Sequence, residues 1–123
     1  MPKKNGVKEW LNRGYGIELE IRALETAGVT AEGREPPPGC FAAYIKGRVA
    51  DLNKVLAETL LAIGAVDDPI LRALLIERYV NFKHWMDVAD ALHYSEVHVK
   101  GKLHSRALEA VKRAYTSIRG DGI

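Results

Sequence analysis

Apolar residues recur at intervals of three and four along most of the chain, the spacing of one helix face. Val7, Trp10, Leu11, Ile17, Ile21 and Leu24 form a first stripe, interrupted by Gly14-Tyr15-Gly16. A glycine inside a helix costs about 1 kcal/mol against alanine, so this segment is expected to kink or split there. It is expected to end near Gly28. Three consecutive prolines, Pro36 to Pro38, remove backbone donors and make residues 28–39 a loop. A second stripe follows at Phe41, Tyr44, Ile45, Val49, Leu52, Val55, Leu56, Leu60 and Ile63, and ends at Gly64. Antiparallel pairing of these two helices is the natural way to bury both stripes.

Asp67-Asp68-Pro69 opens a new unit. Asp68 suits the N-cap and Pro69 the first helical position, where a missing N–H loses nothing. Ile70, Leu71, Leu74, Leu75, Arg78 and Tyr79 keep helical spacing until Asn81-Phe82-Lys83 breaks it. A short helix from about Lys83 to Leu92 is apolar at Trp85, Val88, Ala89 and Leu92. The turn His93-Tyr94-Ser95 follows, and His93 stands at a position where such a turn can take positive φ, which His visits more than most residues. Ser95 is a good N-cap for a last helix from Glu96 toward Arg119, with Tyr94 and Val99 spaced as a hydrophobic staple. That helix is apolar at Val99, Leu103, Ala107, Ala110, Val111, Ala114 and Ile118. Strand alternation and hairpin signals are lacking. The fold class expected is all-α: a helical hairpin arm over residues 1–66, then a helix-turn-helix module over residues 67–123.

Composition narrows the function. The 123 residues suit one domain, or one domain with a short arm. A net charge of +2 excludes a strongly basic coating protein, so any nucleic-acid site must come from local clustering. Such a cluster exists. From His98 to Arg119 six cations face the single acid Glu109, a balance of +5, whereas residues 67–96 carry three cations and six acids, a balance of −3. Phosphate binding rewards that concentration through counterion release.

A helical wheel sets His98, Gly101, Lys102, Ser105, Glu109 and Lys112 opposite the apolar stripe. The early residues of this helix would enter a major groove first. Lys102 suits guanine O6 or N7, His98 and Ser105 suit base edges, and Gly101 permits close backbone approach. Arg106 and Lys112 flank this face and suit phosphates. Lys83 and His84 begin the first motif helix, whose N-terminus can also meet a phosphate. Double-stranded DNA is the expected partner.

Several segments are similar to region four of the bacterial sigma-70 family, which binds the −35 promoter element through a helix-turn-helix. They are Asp68-Pro-Ile-Leu-Arg-Ala-Leu-Leu-Ile-Glu-Arg-Tyr-Val80, Trp85-Met-Asp-Val-Ala-Asp-Ala-Leu92, Tyr94-Ser-Glu-Val-His-Val-Lys100 and Ser105-Arg-Ala-Leu108. The whole chain resembles the small phage-encoded late-gene activators of the ArpU and RinA type in Gram-positive hosts. The resemblance makes Ser95, Glu96, His98, Lys100, Gly101 and Lys102 the start of a recognition helix and sets Arg106 near the DNA backbone. It implies a promoter-binding regulator in the bacterial cytoplasm, with RNA polymerase as a second partner. The chain departs from the pattern twice. His93 occupies the turn position usually held by glycine, and Lys102 stands where many helix-turn-helices have an apolar residue, with Leu103 one position later. No room remains for a module that melts the −10 element, so initiation alone is not expected.

Other chemistry finds little support. His84, His93, His98 and His104 lack metal-ligand spacing, and one cysteine, Cys40, allows neither an internal disulfide nor a cysteine-rich zinc site. Glu18 and Glu20 lie on different helix faces, and no phosphate-binding glycine loop occurs. Trp10 and Trp85 hold stripe positions and read as core. No enzyme activity, cofactor, metal or membrane span is expected. A homodimer through the first two helices is expected to be favourable, because two motifs multiply phosphate contacts. Two rival functions remain: a phage small-terminase type of DNA-packaging protein, and a helical protein–protein adaptor that binds no DNA.

Overall fold

The computed structural model describes residues 4–30 and 39–118; the proline loop and the end of the last helix at Arg119 lie outside the described residues. The fold is all-α, and among the described residues no strand occurs. The chain forms α1 (Lys4–Leu11), α2 (Arg13–Thr30), α3 (Gly39–Gly64), α4 (Pro69–Leu75), α5 (Trp85–Leu92), α6 (Glu96–His98) and α7 (His104–Ile118). Two π turns complete the set. Ile76–Val80 prolongs α4, and Val99–Leu103 joins α6 to α7 as one rod. No helix among the described residues is long and apolar enough to cross a membrane.

The first helical segment does split, but at Asn12 rather than at the glycines. The amide of Asn12 still donates to the carbonyls of Lys8 and Glu9 while the chain turns into α2. Gly14 is buried inside α2 and acts as a notch. A Cβ there would lie 3.2 Å from Leu56 Cδ2, 3.3 Å from Leu52 Cδ1 and 3.4 Å from Phe82 Cζ. The lost helix propensity is offset by close approach of α3 and of the segment before α5. Phe82 takes φ 57° and sets its ring against Tyr15 at 5.8 Å between centroids, which ties α2 to that segment.

The hairpin of α2 and α3 is antiparallel, as the pattern implies. Arg13 pairs with Glu58 at 3.1 Å near one end, and Arg48 pairs with Glu20 at 2.8 Å nearer the other. Ile21 and Leu52 are buried between them. The α3 stripe is only partly covered, since Tyr44, Val49 and Leu60 stay exposed. Instead Ala62 and Ile63 at its end, with Val66, join Val7 and Leu11 of α1 in the core that holds the helix-turn-helix. One apolar cluster therefore spans both ends of the chain.

That cluster holds Leu71, Leu74, Leu75, Tyr79, Val88, Ala89, Val99, Leu103, Ala107, Leu108, Val111 and Ala114. The apolar residues of the two rods step by four at several points, as in Leu71, Leu75, Tyr79 and in Val99, Leu103, Ala107, Val111. An α-helix turns 3.6 residues per cycle, so each step of four drifts about 40° around the axis. A π turn takes in an extra residue and absorbs one such step. The amide of Asn81 donates to Ile76 O at 2.9 Å, five residues back, and the amide of His104 reaches Val99 O in the same way. Tyr79 and Leu103 both lie on the core side.

Two bulky polar groups close this core. Tyr79 is 1 % exposed, and its hydroxyl lies 2.6 Å from His104 Nε2. The His104 ring meets Trp85 edge-on at 4.6 Å between centroids, and the Arg78 guanidinium covers Trp85 at 4.5 Å. The bond thus fastens the α4 rod to the α7 rod beside the first motif helix. Burial raises the Tyr79 pKa to about 12. An unfolded chain ionises this group near 10, so the native state loses stability as pH climbs from 10 to 12. Tyr79→Phe is expected to destabilise the fold by about 1–3 kcal/mol at neutral pH, because a buried partner is lost. It is also expected to remove this alkaline loss. Urea titrations across pH check both.

Candidate nucleic-acid interface

The helix-turn-helix is built by caps. Asp68 accepts from the amide of Ile70 at 2.8 Å and starts α4, with Pro69 at the first helical position. The first motif helix, α5, begins at Trp85 rather than near Lys83; His84 is its N-cap residue, in extended conformation, and makes no side-chain cap bond. At the other end His93 adopts φ 61° and ψ 38°, and the amide of Tyr94 donates to Ala89 O at 3.1 Å. This is a Schellman-type ending with histidine in the left-handed position. Ser95 Oγ then accepts from the amide of His98 at 3.2 Å and opens the second rod. The Tyr94 ring pairs with that of His98 at 5.3 Å between centroids and stays exposed, while Val99 is buried.

The rod Glu96–Ile118 buries one side and bares another. Val99, Leu103, His104, Ala107, Leu108, Val111 and Ala114 are buried. Ser95, Glu96, Lys100, Gly101, Lys102 and Arg106 are exposed. His98, Ser105 and Lys112 are half-buried, which gives them narrower access than the wheel implies. The π turn Val99–Leu103 lies in this part of the rod. Within it Leu103 is buried and Lys102 is exposed.

Beside this face lies an open groove of about 470 Å³ lined by Leu71, Ser105, Arg106, Glu109, Ala110 and Arg113. Arg113 is exposed and extends the cations of Lys102 and Arg106 along the rod. With a rise of 1.5 Å per residue, Lys102 and Arg113 lie about 16 Å apart along the axis. That length equals several phosphate spacings along one strand of a duplex.

Lys83 and His84 sit differently. Lys83 Nζ is held by Glu77 at 2.8 Å, and its carbonyl accepts from the Arg78 guanidinium at 2.9 Å. Its charge is therefore shared with an acid before any phosphate arrives. His84 is exposed and lines a pocket of about 100 Å³ with Asn12, Tyr15, Arg78 and Phe82. The residue missed by periodicity is Val97, which is 85 % exposed on the first turn of the rod. Its sequence signal is an aliphatic side chain off the stripe. No protein-family model matches the chain, and no match is found among curated proteins or solved structures.

The Glu77 carboxyl is held below its ordinary pKa, first by the hydrogen bond from Lys83 and then by that from Asn81, against the opposing effect of burial. The carboxylate thus adds stability above the ordinary carboxyl range, and this is lost as pH falls through the lowered native value. Glu77→Gln is expected to lower stability at neutral pH and to flatten the acid limb of stability against pH. Thermal melts between neutral and acid pH measure both.

Proposed function

We propose that the chain is a sequence-specific DNA-binding transcription regulator whose last helical rod enters the major groove. The observation that carries this is the division of that rod. One side is closed into the core, while Lys100, Lys102 and Arg106 stand exposed directly behind a capped helix-turn-helix turn. Cations placed along the rod bind phosphates, and the first turns supply side chains to base edges. The resemblance to sigma-70 region four supports the same reading and adds RNA polymerase as a second partner and a phage or prophage as the source. Exposed Leu19, Tyr44, Leu60 and Leu61 on α2 and α3 support pairing of two copies through the arm.

Binding of the full chain to mixed-sequence duplex DNA at two salt concentrations tests this reading. The Lys102→Glu, Arg106→Glu double variant is expected to weaken binding at least tenfold and to lower the slope of log affinity against log salt by about two. Unchanged affinity and slope in a folded double variant would refute the groove assignment.

A further inference from the structure

Val97 is the second residue of the rod behind the Ser95 cap, and none of the large apolar residues described is more exposed. A single exposed valine is unremarkable on a protein surface. Its surroundings make it informative. Gly101 lies one turn further along, about 6 Å on, and is exposed as well. A Cβ at Gly101 would meet nothing within 4 Å, so no neighbouring group of the fold requires glycine there. Glycine nonetheless loses about 1 kcal/mol of helix propensity against alanine. Lys100 and Lys102, both exposed, bracket this bare backbone.

The first turn of the rod therefore presents an aliphatic knob followed by a shallow notch between two cations. Valine in a helix holds one χ1 rotamer in roughly nine cases of ten, so its methyls are ordered before any partner arrives. They neither donate nor accept a hydrogen bond. On the major-groove edge of DNA the apolar group is the C5-methyl of thymine. Cytosine would set its N4 amino group against the valine with no acceptor, which leaves a donor unsatisfied.

We propose that Val97 is a specificity-determining residue that reads a thymine through its C5-methyl, with Gly101 leaving room for the groove edge to approach. This rests on the DNA-binding reading above. It assigns one base of the target by chemistry and gives the glycine a role outside the fold.

The full chain is used to select duplexes from a randomised library. In the selected duplex each thymine is then replaced singly by deoxyuridine, which removes the methyl and keeps the hydrogen-bonding edge. The wild-type chain is expected to bind one such duplex about fourfold more weakly, the effect of one buried methyl. Val97→Ala is expected to bind the thymine and uracil forms equally, with its salt dependence unchanged. Gly101→Ala is expected to resist urea better than wild type while binding the selected duplex less tightly. A selected duplex that is indifferent to uracil at every position overturns the inference and leaves the DNA reading standing. So does full thymine preference in Val97→Ala. Undiminished binding by Gly101→Ala removes the glycine from the contact. Failure to enrich any sequence overturns the inference together with the specific-DNA reading on which it rests.

Discussion

An apolar repeat that keeps stepping by four drifts across the face of an α-helix, and the second half of this chain is organised around that mismatch. Leu71, Leu75 and Tyr79 on one rod, and Val99, Leu103, Ala107 and Val111 on the other, would spread over about 80° and 120° of the helix surface if both rods were regular. The π turns Ile76–Val80 and Val99–Leu103 hold them in place. Everything outward-facing follows. With Leu103 drawn inward, Lys102 and Gly101 are left on the open side. With Tyr79 drawn inward, its hydroxyl meets His104 and fixes the two rods against each other.

The arm is more than an appendage. Val7 and Leu11 of α1 and Ala62 and Ile63 at the end of α3 lie in the same core as the motif residues. Phe82, in a backbone conformation that is uncommon for a bulky residue, bridges the notch at Gly14 and the ring of Tyr15. The helix-turn-helix is thus braced from behind by elements distant in sequence.

Much of this was legible from residue order. Asp68-Pro69, His93 and Ser95 announced their caps because each residue has a local physical job that needs no tertiary partner. The hairpin and the buried stripe of the last rod followed from periodicity. The misreadings have a common cause, which is tertiary contact overriding local propensity. Gly14 looked like a helix breaker because propensity counts its missing side chain as a loss, whereas here the space is filled by Leu52, Leu56 and Phe82. The pattern starts α5 at about Lys83, yet Lys83 is held by Glu77 in the preceding connection. His104 carried no signal at all, because its partner Tyr79 lies 25 residues away. On the candidate interface, the cations were visible as charge. Val97 was not, since an aliphatic residue off the stripe has no meaning until its exposure is known.

If the outward side of the second rod meets a duplex, its backbone amides should report the contact. Backbone amide shifts of the isotope-labelled chain, followed as duplex DNA is added, test it most directly. The largest changes are expected over residues 95–102 and at Arg106, with α2 and α3 little affected. Changes confined to the hairpin, or none at low salt, would contradict it.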